Sequence, residues 1–561
     1  MSTNSDVFLT NTSKEVSVHD AQAVGGPGVH WAQESENEAA QVAVLCAPGV
    51  PSFVASLHPH GALFERPFNL SEACAHHAGF VDALRERGVR VHLVGDVLRR
   101  SALPQLRRLA SARLHYRLSE DLDPLRASVH TLRSCSAQYK RQIVQAMDRD
   151  QLCQTVMLSP TVTLGETPSG ETCSISTQFD PLGNTVFTRD QQIVTRKGLV
   201  MGRMALPQRC GEISVMELVF KELGIVPVGA IPAPFTLEGG DFLPAGPDLC
   251  FLGVGVRTSL HAALYMLRQD LFGTRRVALV SDYFERRQDR MHLDTVFNIA
   301  SDRVCLMMDS MIGEDKLHRR LVTEYVYENG AYRLNRRDVE FAQYVRDEGY
   351  TIVPVTEDEQ LEYVINFLNL GENRIICVHP RTKELLETCE QFDGEVTYIP
   401  FTGITNMYGA VHCSSQVFRT KLAAPPLTPS TVPSCKQSDA VEEAFPRASF
   451  KTSAPPPTSA ILDDSPSSSQ SDRTAESSDL LAIPNFSALS MLSSSPHDLQ
   501  LNHAANVHLR SLLKTRAQSP SSVLHLQTTN RVLMIVPTCF EWNSDTSSDN
   551  LFQAQSWRDV Q

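Results

Sequence analysis

Residues 249–282, LCFLGVGVRTSLHAALYMLRQDLFGTRRVALVSD, decide the fold class. Two β-rich apolar runs, LCFLGVGV and RRVALVSD, flank SLHAALYMLRQDLF, whose apolar residues recur at helical spacing. The same rhythm runs outward through about residues 41–420, with strand-like QVAVLCAP, VRVHLV, RVCLMMD, RIICVHP and VTYIPF, and a further helical pattern in SVMELVFKEL. Strands alternating with helices specify an α/β domain.

Three regions depart from that rhythm. Residues 69–155 are rich in Leu, Ala, Arg and Gln at helical spacing with few strand signals, which predicts a helical insertion. Residues 1–40 are polar and acidic, predicting a disordered N-terminus that resembles neither a secretory signal nor a transit peptide. From 423 to 529, Pro and Ser dominate, as in SAPPPTSAILDDSPSSSQSD, with too little apolar matter to offset ordering entropy. Residues 530–561 then carry RVLMIVPTCFEW, a strand-like run that needs another sheet to pair with.

The net charge of −13 argues against nucleic acid or an anionic membrane as the main partner, since both reward clustered Lys and Arg. No run of eighteen apolar residues occurs, so no span of a membrane is expected. Thirteen scattered cysteines without a CxxC pair read as reduced thiols of a cytoplasmic protein, and not as a zinc site. A small-molecule substrate fits this balance, and an assembly of like chains is left open.

Four polar clusters lie in the α/β region: NTVFTRD (184–190), EGGDF (238–242), MHLDTVF (291–297) and the loop MYGAVHCSSQ (407–416). Each has a bland reading. EGGD suits a β-turn with solvated acids, FTRD a surface turn or helix cap, the histidine of HLD a structural role, and Cys413 a small buried apolar residue. Together they supply carboxylates, an imidazole and a thiol, the groups needed to attack a planar cation. A guanidinium is a poor electrophile, so carboxylates must hold it while a thiolate approaches its central carbon. One histidine backed by a glutamate can protonate the leaving nitrogen and then activate water, with no metal or cofactor required.

In this order and at these intervals, NTVFTRD, EGGDFLP…GVGVRT, HLDTVF and a late cysteine resemble the arginine deiminases of the guanidine-modifying, or amidinotransferase, superfamily. The resemblance covers roughly residues 41–420. It implies a five-bladed pentein α/β propeller with a helical insertion. It also implies Cys413 as nucleophile, His292 as general acid/base, Glu238 as its support, and Asp190 and Asp294 as the guanidinium clamp. Arg209, Arg257 and Asn184 are implied to grip the α-carboxylate of L-arginine, and Phe187 to line the pocket, where simple core packing is the alternative. The implied reaction is hydrolysis of arginine to citrulline and ammonia.

The cysteine loop departs from the family. Bacterial arginine deiminases carry an arginine a few residues before the cysteine, whereas this chain has Tyr408, and the loop looks closer to amidinotransferases and agmatine deiminases. Amidinotransfer, agmatine deimination and a silent arginine-binding regulator are therefore the alternatives. The tail VLMIVPTCFEWNSDTSSDNLFQ resembles the start of a citrulline-utilisation hydrolase-like domain of the same superfamily, through Phe540, Asn543, Thr546, Asn550 and Phe552-Gln553. That likeness predicts the front part of a tandem protein whose second domain is missing or cut short; an incidental amphipathic tail peptide is the alternative.

Overall fold

The computed structural model describes residues 29–423, apart from 123–124, 126, 168–172 and 283–285. The strand-like segment near residue 531, its resemblance and the Ser/Pro-rich stretch lie outside the described residues.

Five three-stranded motifs share one topology. In each, a short first strand pairs antiparallel with a second, and the second pairs parallel with a third. The motifs are Gln192–Val194, Leu199–Met201 and Gly229–Ala230; Phe242–Pro244, Leu249–Val254 and Arg276–Ser281; Phe297–Ile299, Val304–Met308 and Thr351–Val355; Leu368–Asn369, Arg374–Cys377 and Glu395–Tyr398. The fifth joins the two ends of the domain, since Gln416–Phe418 pairs with Val42–Leu45, which pairs with Arg90–Leu93. A helix links second to third strand in every motif: Glu212–Glu222, Leu260–Arg268, Phe341–Asp347, Pro380–Glu387 and Leu70–Glu86. Parallel pairing demands such a crossover.

The opening segment shows why. Every residue of Leu249–Val254 is buried, so the strand reads as unbroken apolar sequence rather than as an alternation. Ser259 caps the following helix by accepting from the Ala262 N–H, and Ala262, Ala263, Met266 and Leu267 form its buried face. Phe251 packs edge-on against Phe297 and Phe341, tying the second motif to the third.

The helical region is more mixed than its composition predicts. Leu70–Glu86 belongs to the fifth motif, with Phe80 packed edge-on against Phe401 at 5.6 Å. Among the described residues, five helices between Val94 and Leu158 follow, joined by a separate sheet of His115–Leu118, Pro160–Glu166 and Cys173–Phe179. A hairpin, Leu321–Glu328 with Ala331–Glu340, extends the second motif. It turns at Asn329-Gly330, both at positive φ (53° and 85°), the dipeptide that a two-residue hairpin favours.

The predicted disorder of residues 1–40 is corrected for 29–40. Val29–Ala32 pairs with Thr420–Ala423, Trp31 is buried against Phe418, and Glu36 forms a buried ion pair with Arg419 at 2.9 Å. A polar, acidic segment orders here because its charge meets arginines contributed by remote chain. Among the described residues no helix is long and apolar enough to cross a membrane.

Candidate active site

The turn before the first strand of each motif delivers the site. Asp190 precedes Gln192–Val194, Glu238 precedes Phe242–Pro244, and His292 and Asp294 precede Phe297–Ile299. Asn366 precedes Leu368–Asn369, and Cys413 precedes Gln416–Phe418. All of these side chains are buried, Glu238 and Asp294 completely. The repeat therefore brings together groups up to 223 positions apart, as in the bond from Arg189 Nε to the His412 carbonyl.

One half of the centre is an imidazole among acids. His292 Nε2 lies 2.8 Å from Glu238 Oε2, and its Nδ1 lies 3.6 Å from Asp190 Oδ1. Burial opposes charge on His292, but the Asp190 and Glu238 carboxylates outweigh it and raise the imidazole to about 9. Burial likewise works against the Glu238 carboxylate, and the bond from His292 with the charges of Arg257 and Arg209 overcomes it, holding the group well below its usual range. Asp190, Glu238 and His292 present ligand-type atoms within 4.8 Å of one another; because Arg209 and Arg257 balance the two acids, the trio is an ion-paired cluster.

Those two arginines are committed to carboxylates. Arg209 holds Glu212 through Nε and Nη2 at 3.0 and 2.9 Å and donates Nη1 to Asp190 Oδ2 at 2.6 Å. Arg257 donates to Glu238 Oε2 at 3.1 Å and to Gln288 Oε1 at 2.7 Å. Asn184 gives its amide to the Ala62 carbonyl at 2.7 Å, and its own carbonyl accepts from Arg209. Phe187 lies in the same buried cluster as Cys413, Val186 and Met407. Its ring presses on the cysteine loop so closely that a Cβ at Gly409 would come within 2.3 Å of it.

The other half surrounds the thiol. Cys413 Sγ is 3.5 Å from Asp294 Oδ2 and accepts from Asn366 Nδ2 at 3.1 Å. Asp294 Oδ2 also takes a bond of 2.7 Å from His412 Nδ1, while its Oδ1 is buried without a hydrogen-bond partner among the described residues. Burial, followed by the Asp294 and Asp190 charges, pushes the Cys413 thiol well above its ordinary value, so the neutral thiol is favoured. A cavity of about 160 Å³ is lined by Glu65, Arg287, Asp289, Thr295, Tyr363 and Tyr408 and by none of the acids, the imidazole or the thiol described above.

Asn366, His412 and Glu36 were not among the residues picked out by motif reading. Asn366 sits in the apolar run YVINFLNL, outside the four polar clusters, and Glu36 in a stretch that reads as disordered; His412 stands beside the cysteine with no motif of its own.

A family model for arginine deiminase matches residues 60–419. The chain belongs to the arginine deiminase family. Relatives within it include the arginine deiminase of Halobacterium salinarum, 25% identical over 466 residues that cover 66% of this chain and 93% of that protein. The arginine deiminase of Mycobacterium avium is 26% identical over 302 residues, covering 51% of this chain and 71% of its own length. Among solved structures, a DDAH from Pseudomonas aeruginosa complexed with citrulline superposes with a TM-score of 0.41 at 15% identity, over 68% of this chain and all of that one. In this arginine deiminase family member the matched span, 60–419, contains every acid, imidazole and thiol that the motifs pointed to.

Proposed function

We propose that this chain hydrolyses L-arginine to L-citrulline and ammonia through a covalent bond to Cys413. The observation that carries the reading is the convergence of Cys413, the His292–Glu238 pair and the two aspartates on one buried centre, in a chain of the arginine deiminase family. The five like motifs, each contributing a turn to that centre, support the five-bladed propeller as the frame.

In the proposed cycle the guanidinium displaces Arg209 from Asp190 and takes the unpartnered Oδ1 of Asp294. Its charge favours ionisation of the thiol, whose proton leaves to solvent. The thiolate attacks the central carbon, forming the S–C bond. Imidazolium His292 protonates one amino group, the C–N bond breaks, and ammonia departs from an amidino-thioether. Neutral His292 then removes a proton from water as the oxygen bonds to carbon. Collapse breaks the S–C bond as the new hydroxyl gives its proton to solvent and its C–O becomes the ureido carbonyl, which returns the thiolate and releases citrulline. Arg209, once freed from Asp190, joins Arg257 and Asn184 in holding the α-carboxylate, and Phe187 walls the pocket. Reduced cysteines and the acidic balance support a cytoplasmic setting.

Mass spectrometry of products after incubation with arginine, with agmatine in parallel, tests the reading. Citrulline with ammonia is expected. Ornithine in the presence of an acceptor amine makes the enzyme an amidinotransferase, and bound arginine without product makes it a silent binder. Cys413→Ala should lose on the order of 10⁴-fold or more in turnover with the fold retained; substantial citrulline from that variant sinks the assignment of the nucleophile.

A further inference from the structure

Behind Asp294 lies a second buried polar chain that the cycle above does not use. His412 donates Nδ1–H to Asp294 Oδ2 at 2.7 Å, and its Nε2 faces Glu36 Oε2 at 3.9 Å. Glu36 is fully buried, and Arg419 Nη2 holds its Oε2 at 2.9 Å, Gln33 Nε2 its Oε1 at 3.1 Å, with Arg189 Nη1 at 3.7 Å. Arg189 also bonds the His412 carbonyl through Nε, at 3.2 Å. His412 is thereby held at its backbone by Arg189 and at its ring by the Nδ1 bond to Asp294, with Nε2 facing the Glu36 carboxylate beyond hydrogen-bond distance.

The geometry matters because Asp294 Oδ2 has two suitors, the His412 N–H and the Cys413 S–H, while Oδ1 has none. A carboxylate with one oxygen pinned by a charge-assisted bond keeps the other pointing in one direction. We propose that His412, backed by Glu36, is a positioning residue that pins Asp294 so that Oδ1 is presented to the substrate's guanidinium. This rests on Asp294 being part of the guanidinium clamp. The device spans the chain: Glu36 comes from the N-terminal segment, Asp294 from the third motif and His412 from the fifth.

Asparagine and glutamine at 412 separate the role from mere bulk. The amide of asparagine reaches the Nδ1 position and keeps the donor to Asp294, whereas that of glutamine reaches the Nε2 position and does not. Arginine affinity is measured by calorimetry in the Cys413→Ser chain, and kcat and KM in the chain that retains Cys413. His412→Gln should weaken binding and raise KM by roughly 30-fold, the typical loss of a hydrogen bond to a charged group, and His412→Asn should stay within about threefold of the parent. Equal losses for both variants, or none for His412→Gln, overturn the proposal. Glu36→Gln should lower kcat/KM when His412 is present and add nothing in the His412→Asn chain, because asparagine no longer reaches Glu36; additive losses remove Glu36 from the device. If the Cys413→Ser chain with native His412 fails to bind arginine, the arginine reading falls and this inference with it. Arginine bound equally well by the two 412 variants sinks this inference alone.

Discussion

His292 is a buried histidine that stays charged, because Asp190 and Glu238 stand within 3.6 and 2.8 Å of it. With its value raised to about 9, the imidazolium that the proposed cycle uses to expel ammonia is present at neutral pH. Activity should fall as pH rises through about 9, and Glu238→Gln, which removes the nearest carboxylate, should move that limb of the kcat profile toward lower pH; an unmoved limb would separate Glu238 from the imidazole. Stability follows the same sign. The raised histidine stabilises the fold fully below its unfolded value of about 6.5, and that contribution is lost as pH rises through about 9. Asp294 and Glu238 are depressed groups, so their contribution holds above the ordinary carboxylate range and is lost on acidification.

At the scale of elements, the working parts are the short turns before each first strand. They are too close to one another to tolerate added atoms. A Cβ at Gly240 would stand 2.6 Å from His292 Nδ1, and one at Gly239 would meet the Arg189 carbonyl oxygen at 2.0 Å. Gly240 thus serves close approach of backbone to the His292 side chain, and Gly239 close approach of two main-chain segments. Gly240→Ala should lower kcat by about 100-fold, the usual effect of a displacement near 1 Å, with a smaller loss of thermal midpoint than a main-chain clash brings, since the His292 side chain shifts from its carboxylates while the backbone stays. Gly239→Ala should instead lower the thermal midpoint, because it strikes main chain. Calorimetric melts beside steady-state rates distinguish the two.

On the scale of the whole molecule, the two ends of the domain are joined three times: by the Val29–Ala32 and Thr420–Ala423 pairing, by the fifth motif, and by Glu36 with Arg419. Arg419 is fully buried and also bonds the Asn369 carbonyl at 2.8 Å. Removing one partner leaves an unmatched buried charge, so Arg419→Met should destabilise the domain by about 3–5 kcal/mol. Adding Glu36→Gln to it should restore part of that loss. Chemical denaturation of the single and double variants measures both; strict additivity would mean that the two residues do not act as a pair.

The seven strand-like runs read from the sequence are all second or third strands of a motif, long and apolar enough for local pattern to specify them. First strands such as Phe297–Ile299 are three residues long and carry no period, and the sheet around Pro160–Glu166 lay hidden in a helix-rich composition. The sequence by itself determined the α/β class and the family, and its motifs named the thiol, imidazole and acids that the fold brings together, because reaction chemistry restricts residue type and the motifs keep their spacing. Only the tertiary structure decided that Asn366 bonds the thiol, that Arg209 and Arg257 are held by carboxylates, and that Glu36 is buried behind His412. Those facts rest on desolvation and on charges brought from distant parts of the chain, and neither is encoded in the residues adjacent to them.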